Sequence, residues 1–185
     1  MHFKKGTNRI VILFPSIRIA VKLPIINIWK AVRTAIYVMG WDEPGNLRMY
    51  WEYPASQMGG LKFWLFRGIV ANRLERRGYR TNPTNPFLQP TYFSLGGLMN
   101  LERYGDPCPI DHDTLWDQLW EITNGHIQVD YHHFDNPANF CVDRGVLRMV
   151  DYGNIRTLGI ALVWGEKIVR EFDLAGTTAK PQSVL

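Results

Sequence analysis

The sequence predicts an α+β fold, on the evidence of its composition, the order of its elements and its turn residues. Of its 185 residues, 46% are apolar and 13% are aromatic, which is typical of a chain that buries a hydrophobic core. Strand-like segments come first, helical patterns follow, and a short hairpin pattern appears late. No internal repeat or low-complexity segment interrupts this order.

The N-terminal half changes from alternating apolar residues to apolar residues at helical spacing. A proline and serine turn divides the first alternating stretch, which is the pattern of an antiparallel hairpin. The predicted elements are a hairpin over residues 9–23, a helix over 25–38, a turn-rich loop or insertion over 40–60 and a helix over 61–79.

The C-terminal half begins with three prolines between residues 82 and 90, which exclude a helix interior there. Beyond them, short β-like stretches alternate with helical spacing. The predicted elements are two short strands, or a strand and a bend, within residues 91–101, a helix over 114–124 capped by Asp113, strands at 140–142 and 146–150, and a helix over 157–172.

The charge is divided unevenly along the chain. Residues 1–80 carry 14 Lys and Arg against 4 Asp and Glu, a net charge of +10, whereas residues 81–185 carry 7 against 13, a net charge of −6. Such blocks are typical of solvated faces, so we do not expect nucleic acid as the partner. A basic lobe that binds nucleotide phosphate and an acidic lobe that binds metal would produce the same division.

Cysteine content and hydropathy indicate the compartment. Cys108 and Cys141 are the two cysteines, too few for a disulfide framework, and they fit a reducing environment. We expect no membrane span, because no run of about 18 apolar residues is uninterrupted. The N-terminal stretch also fits a secretory signal poorly. The expected location is the cytoplasm, or the cytosol of a host if the protein is a secreted effector.

The most informative segment runs from His132 to Val142 and is followed by residues 147–153. It contains a His-x-Asp sequence, an Asn four residues after the Asp, a predicted β-hairpin and then Asp-Tyr-Gly. This order resembles the catalytic core of protein kinases and kinase-like phosphotransferases. Its short length makes it similar to the smallest bacterial or phage effector kinases. The carboxylates also fit plain turn chemistry, and that alternative stays open.

The resemblance implies a role for each polar residue of this segment. Asp135 would orient the acceptor hydroxyl or accept its proton, and His133 would be the structural histidine of the loop. Asn139 and Asp151 would ligate Mg²⁺, since oxygen ligands suit this ion. Asp135 and Asn139 are four positions apart, whereas protein kinases have five, which puts the role of Asp135 in doubt.

The N-terminal lobe of a kinase supplies a second set of expectations. Residues 19–22 (IAVK) resemble the strand-borne Val-Ala-Ile-Lys of the family, so Lys22 would contact the nucleotide phosphates. Kinases pair this lysine with a glutamate on the next helix. Glu75 is the candidate, because it is the acidic residue in a helical pattern ahead of the proline-rich segment. Gly6 is the single glycine where the family has a glycine-rich loop.

The same order places residues 99–102 at the interlobe connection, so backbone groups of Asn100 and Leu101 would bind adenine. We therefore expect one two-lobed kinase-like domain over residues 1–176, with an N-lobe to residue 101 and a strongly reduced C-lobe over 102–176. A flexible tail would follow over 177–185. The 32 residues beyond Gly153 leave no room for the usual activation segment and peptide platform.

The expected function is an ATP- and Mg²⁺-dependent phosphotransferase, most similar to a protein Ser/Thr kinase with a protein substrate. The alternative is a catalytically impaired pseudokinase that binds a nucleotide or a partner. A small-molecule acceptor stays open, and an unrelated basic α+β protein is the third possibility. The sequence does not indicate the oligomeric state.

Overall fold

The computed structural model describes residues 1–39, 50–52, 54 and 60–175. The strands are β1 (His2–Lys5), β2 (Arg9–Phe14), β3 (Ile19–Pro24), β4 (Thr91–Ser94), β5 (Asn100–Arg103), β6 (Asp106–Pro107), β7 (Phe140–Asp143) and β8 (Val146–Met149). The helices are α1 (Ile28–Met39), α2 (Leu61–Thr81), α3 (His112–Ile122), α4 (Tyr131–Phe134) and α5 (Ile155–Glu171). Single 3-10 turns cover Pro15–Ile17, His126–Asp130 and Pro137–Asn139. The expected α+β class is confirmed.

The chain forms two compact units. The first comprises residues 1–81 and 90–104, and the second comprises residues 82–89 together with the chain from residue 105 onward. The first unit therefore ends three residues later than the N-lobe expected from sequence. The proline-rich segment 82–89 belongs to the second unit.

The first unit contains a five-stranded antiparallel sheet in the order β1-β2-β3-β5-β4. β2 and β3 form the predicted hairpin, in which Phe14 pairs with Ile19 across the 3-10 turn. Arg18 closes this turn in the left-handed conformation. The long helix α2 packs on β3 and β4. Gly68 permits this close approach, because a Cβ there would lie 2.4 Å from the Asn8 carbonyl oxygen.

The second unit contains a three-stranded antiparallel sheet in the order β6-β7-β8, together with α3, α4 and α5. Asn154 caps α5, since its side chain accepts a hydrogen bond from the Arg156 amide at 3.0 Å. The core of this unit is apolar and almost fully buried. It includes Phe87, Leu88, Leu115, Leu119, Ile127, Phe134, Phe140, Leu147, Met149 and Ile168.

Several element boundaries differ from the sequence predictions. The cap of α3 is Asp111, not Asp113, because the Asp111 carboxylate accepts the Thr114 amide at 3.0 Å. Residues 1–5 contain a strand, β1, that apolar periodicity does not reveal. Helix α1 begins at Ile28 rather than Ile25, since the Ile25 amide donates to the Asn8 carbonyl at 2.8 Å.

The expected connection at residues 99–102 is wrong in position. Asn100 and Leu101 lie in β5, which is paired with β3 on one side and β4 on the other. Most of the expected loop over 40–60 lies outside the described residues, and residues 50–52 are helical. The proposed tail over 177–185 also lies outside them.

Candidate functional site

Four charged side chains form a buried cluster in the first unit, which we call the Lys22 cluster: Arg9, Lys22, Glu75 and Glu102. Lys22 Nζ lies 3.1 Å from Glu75 Oε2 and 2.8 Å from Glu102 Oε2. Arg9 Nη1 donates to Glu75 Oε1 at 2.6 Å. Glu75 is fully buried and Lys22 is 4% exposed. Each charge is therefore compensated at short range, as burial of ions requires.

Strand register explains how the Lys22 cluster assembles. Lys22 pairs with Asn100 across β3 and β5, and Ala20 pairs with Glu102. Lys22 and Glu102 are thus diagonal neighbours on one face of the sheet, within reach of long side chains. Glu75 comes from α2, which packs on β3. The pairing of Lys22 with Glu75 expected from sequence is present.

Two buried asparagines connect α2 to the sheet around this cluster. Asn72 donates to the Gly97 carbonyl at 2.9 Å, and Asn100 donates to the Asn72 carbonyl at 2.9 Å. Asn72 lies one helical turn before Glu75, so both side chains are on the same face of α2. This network holds Glu75 in place against β3.

The electrostatics of the Lys22 cluster depend on Glu102. Burial raises the pKa of Glu102 from an ordinary 4.5 to about 8. The nearby charge of Glu75 and its hydrogen bond raise the Glu102 pKa further, whereas the Lys22 ammonium opposes the rise. When Glu102 is protonated, the two positive charges of Arg9 and Lys22 face the single negative charge of Glu75. The Lys22 cluster then carries a net positive charge.

In the second unit, the His-x-Asp sequence lies at the end of the short helix α4, with Asp135 directly after its last residue. His133 Nδ1 lies 2.8 Å from Asp130 Oδ1, and Thr157 on α5 donates to the other Asp130 oxygen. The His133 carbonyl accepts a hydrogen bond from Asn139 Nδ2 at 3.0 Å. His133 therefore connects Asp130 and Asn139 on either side of it, and its role as the structural histidine of a catalytic loop stays a prediction.

The Asp135 carboxylate lies near the imidazole of His112 and the phenol of Tyr131. His112 Nε2 is 3.6 Å from Asp135 Oδ2, and Tyr131 donates a side-chain hydrogen bond to Asp135. This hydrogen bond and the charge of Asp135 raise the pKa of Tyr131. The pKa of His112 is also raised, first by its hydrogen bond to Asp113 and then by Asp135. The Asp135 side chain is 17% exposed, so one carboxylate edge reaches solvent.

Asn139 and Asp151 lie at the same end of the β7–β8 hairpin. The Val150 amide donates to the Asn139 carbonyl at 2.8 Å, so Asp151 directly follows the residue that faces Asn139. Tyr152 is fully buried and donates to the Gln89 carbonyl at 2.7 Å, which fixes the backbone next to Asp151. The structure thus brings the two predicted metal ligands to neighbouring positions on one hairpin.

Gly6 and the adenine candidates occupy ordinary structural positions. Gly6 lies in the tight turn between β1 and β2, and its amide donates to the Arg9 carbonyl at 2.8 Å. Asn100 is fully buried, and its side chain points into the Lys22 cluster at 3.5 Å from Glu75 Oε2. The role of Gly6, Asn100 and Leu101 in nucleotide binding stays a prediction.

Sequence reasoning missed Arg9, Glu102, Asp130, Tyr131 and His112. The alternation of β5 was a usable signal for Glu102, since residues 100 and 102 share a strand face. Kinase order places the acidic partner of Lys22 on the helix before the next strands, and Glu102 lies after that helix, on β5. No sequence signal indicated that Asp111, rather than Asp113, caps α3. Nor did any sequence signal indicate that the neighbouring His112 lies beside Asp135.

The chain matches no protein-family model, no curated protein and no solved structure. Within the described ranges, no helix is long and apolar enough to cross a membrane. Among those same residues, no three His, Cys, Asp or Glu side chains are grouped as a metal site.

Proposed function

We propose that this protein is an ATP- and Mg²⁺-dependent phosphotransferase of the protein-kinase-like class, with a hydroxyl acceptor that is most simply a protein. The observation that carries the proposal is the buried ion pair between Lys22 on β3 and Glu75 on the next long helix, at 3.1 Å. The resemblance implied such a pair, and Glu75 was chosen as its acidic member by elimination among the acidic residues before residue 80. Kinase-like enzymes use the equivalent pair to direct a lysine to nucleotide phosphates.

The first unit supports the proposal through its topology. A lysine on the third strand of a five-stranded antiparallel sheet is followed by α1, then by α2, which carries its glutamate, and then by the last two strands. Arg9 shares Glu75, and the raised pKa of Glu102 favours a net positive cluster at neutral pH. Lys22 would therefore stabilise the charge of nucleotide phosphates.

The second unit supports it through the order helix, His-x-Asp loop, hairpin and Asp-Tyr-Gly. The fit to Mg²⁺ rests on donor chemistry. Asn139 Nδ2 donates a hydrogen bond to the His133 carbonyl, so the side-chain oxygen of Asn139 is the atom that can coordinate a cation. Mg²⁺ binds through one or two carboxylates plus phosphate oxygens and water, so Asn139 and Asp151 suffice from the protein. When bound, the ion would offset the charge of the phosphate oxygens.

Asp135 is the residue that would handle the acceptor hydroxyl. Its partly exposed carboxylate is held by Tyr131 and lies beside His112. A positioned carboxylate orients an acceptor hydroxyl and receives its proton as the new P–O bond forms. The backbone of this short loop is held by Asn139 and by the Asp130 pair of His133.

The test is nucleotide binding measured by calorimetry with and without Mg²⁺. We expect binding of ATP that Mg²⁺ strengthens, with Lys22→Met and Asp151→Asn each weakening it at least about 10-fold. Lys62→Met and Glu121→Gln, at exposed positions, are the matched controls. Because Lys22→Met removes a buried charge, folding of each variant is checked by circular dichroism. Absence of any ATP binding by the folded wild-type protein would refute the proposal.

One observation favours the alternative of a pseudokinase. Lys22 already contacts two carboxylates and is 4% exposed, so its ammonium is saturated by the protein itself. A pseudokinase would bind nucleotide, or a partner, without turnover. Transfer of labelled γ-phosphate to the protein itself or to added protein substrates separates the two functions. Binding without transfer would favour the pseudokinase.

A further inference from the structure

Helix α1 carries an exposed apolar stripe that the first unit does not use. Its members are Ile28, Trp29, Val32, Ile36 and Met39. At 100° per residue they occupy an arc of about 100° on the helix, whereas Ala31, Thr34, Ala35 and Val38 occupy a second arc of about 100°, whose centre lies about 120° away. Ala31 is buried, and α1 packs on α2. The α1 stripe therefore faces away from the core.

The size of the exposed side chains makes this stripe unusual. Trp29 is 77% exposed, and Ile28 and Ile36 are 63% and 62% exposed. Single exposed apolar residues are normal on a protein surface, but five on one helical arc indicate an interaction site. Nearby, Ile26 is also half exposed, just before the helix begins.

The flank of the α1 stripe is basic. Arg33 borders the stripe on the helical wheel, about 40° beyond Trp29, and α1 contains no acidic residue. Lys30 lies on the far side of Tyr37, about 100° beyond Trp29, and is placed over the ring of Trp64 at 5.2 Å. An apolar arc with Trp, bordered by a basic residue, is the pattern of a helix that lies in a membrane interface. Residues 1–80 together carry a net charge of +10.

We propose that the α1 stripe docks this protein on an anionic lipid bilayer, with Ile28, Trp29, Val32 and Ile36 in the acyl boundary and Arg33 at the headgroups. Charge favours this occupant over a second copy of the chain. An antiparallel symmetric dimer through α1 would place Arg33 of one copy at the same edge as Arg33 of the other, with no acidic residue of α1 to compensate them. Nucleic acid is bound mainly through hydrogen bonds to its phosphates, sugars and base edges, which the apolar side chains of the α1 stripe do not provide.

The test is co-sedimentation with vesicles of phosphatidylcholine alone or with about 30% phosphatidylserine, the anionic lipid that attracts basic segments. We expect binding that needs the anionic lipid and weakens with added salt. Val32→Gln/Ile36→Gln should lower it about 10-fold by removing apolar contact. Arg33→Gln should lower it about 5-fold, at roughly 1 kcal/mol per charge, whereas Lys30→Gln, on the side of α1 away from the stripe, should lower it less. The matched control is Ile155→Gln, the same change at an isoleucine that is 72% exposed in the second unit.

Two outcomes would overturn the proposal. One is vesicle binding that is absent, or that Ile155→Gln reduces as much as the α1 variants do. The other is concentration-dependent self-association that Val32→Gln/Ile36→Gln abolishes, which would make the α1 stripe a dimer surface. The proposal does not depend on phosphate transfer. All four substituted α1 side chains are at the surface or its border, and circular dichroism checks that the variants fold.

Discussion

Replacing Glu75 by Gln tests how the first unit is held together. The substitution keeps the size of the side chain but removes its charge. Arg9 Nη1 at 2.6 Å and Lys22 Nζ at 3.1 Å then lose their shared carboxylate, and Lys22 keeps its contact with Glu102. Removing one partner of a buried ion pair costs about 3–5 kcal/mol, because the remaining charge is left uncompensated. We therefore expect a loss of that size in the free energy of unfolding.

Chemical denaturation and hydrogen exchange measure this loss. At about 2–4 °C per kcal/mol for a chain of this size, the melting temperature should fall by roughly 6–20 °C. Amide protection should fall in β2 and β3, which carry Arg9 and Lys22. Glu166→Gln, at an exposed position on α5, is the control and should stay within about 0.5 kcal/mol of wild type. A loss below about 1 kcal/mol in Glu75→Gln would show that the cluster is not a buried, mutually compensated network.

Three further predictions follow from single features. The pKa of Glu102 is raised to about 8 by burial, so its contribution to stability is complete below pH 4.5 and is lost as the pH rises through 8. Glu102→Gln should therefore flatten the dependence of the unfolding free energy on pH across this window. An unchanged slope would contradict the raised pKa of Glu102. Gly68→Ala should cost about 1–3 kcal/mol by overpacking against the Asn8 carbonyl, whereas Gly159→Ala in α5, where a Cβ meets nothing within 4 Å, should be neutral or stabilise by up to about 1 kcal/mol. Tyr131→Phe removes the hydroxyl beside Asp135, so it should slow any phosphate transfer, and an unchanged rate would contradict a role of Tyr131 in positioning the Asp135 carboxylate.

Local patterning was enough to predict most elements of the fold. The β2–β3 hairpin, helix α2, the β7–β8 hairpin and helix α5 were all predicted, because each has clear periodicity and turn residues between neighbours. β1 was missed because its four residues, HFKK, have no apolar run and form a strand by pairing with β2. The N-cap of α3 was misplaced because Asp111 and Asp113 are chemically equivalent caps and only backbone geometry separates them.

The candidate site was predicted to a different extent in the two units. The Lys22–Glu75 contact followed from motif order, and the neighbouring positions of Asn139 and Asp151 followed from the hairpin between them. Glu102 was missed because its contact with Lys22 depends on the β3–β5 register, which joins residues 80 positions apart. Asn100 and Leu101 were placed at a connection rather than in β5 for the same reason, because their position depends on the pairing of β5 with β3.

Single-turnover transfer of phosphate from γ-labelled ATP tests the central claim most directly. With Mg²⁺ present, we expect label on a protein acceptor with wild-type protein and with the exposed-site control Lys62→Met. Asp151→Asn and Lys22→Met should each lower the rate about 100-fold or more, since each removes a group that stabilises phosphate charge. Chelation of the metal should abolish transfer. Equal rates for wild type and Asp151→Asn, with both proteins folded, would contradict the assignment of this hairpin to the metal and its phosphates.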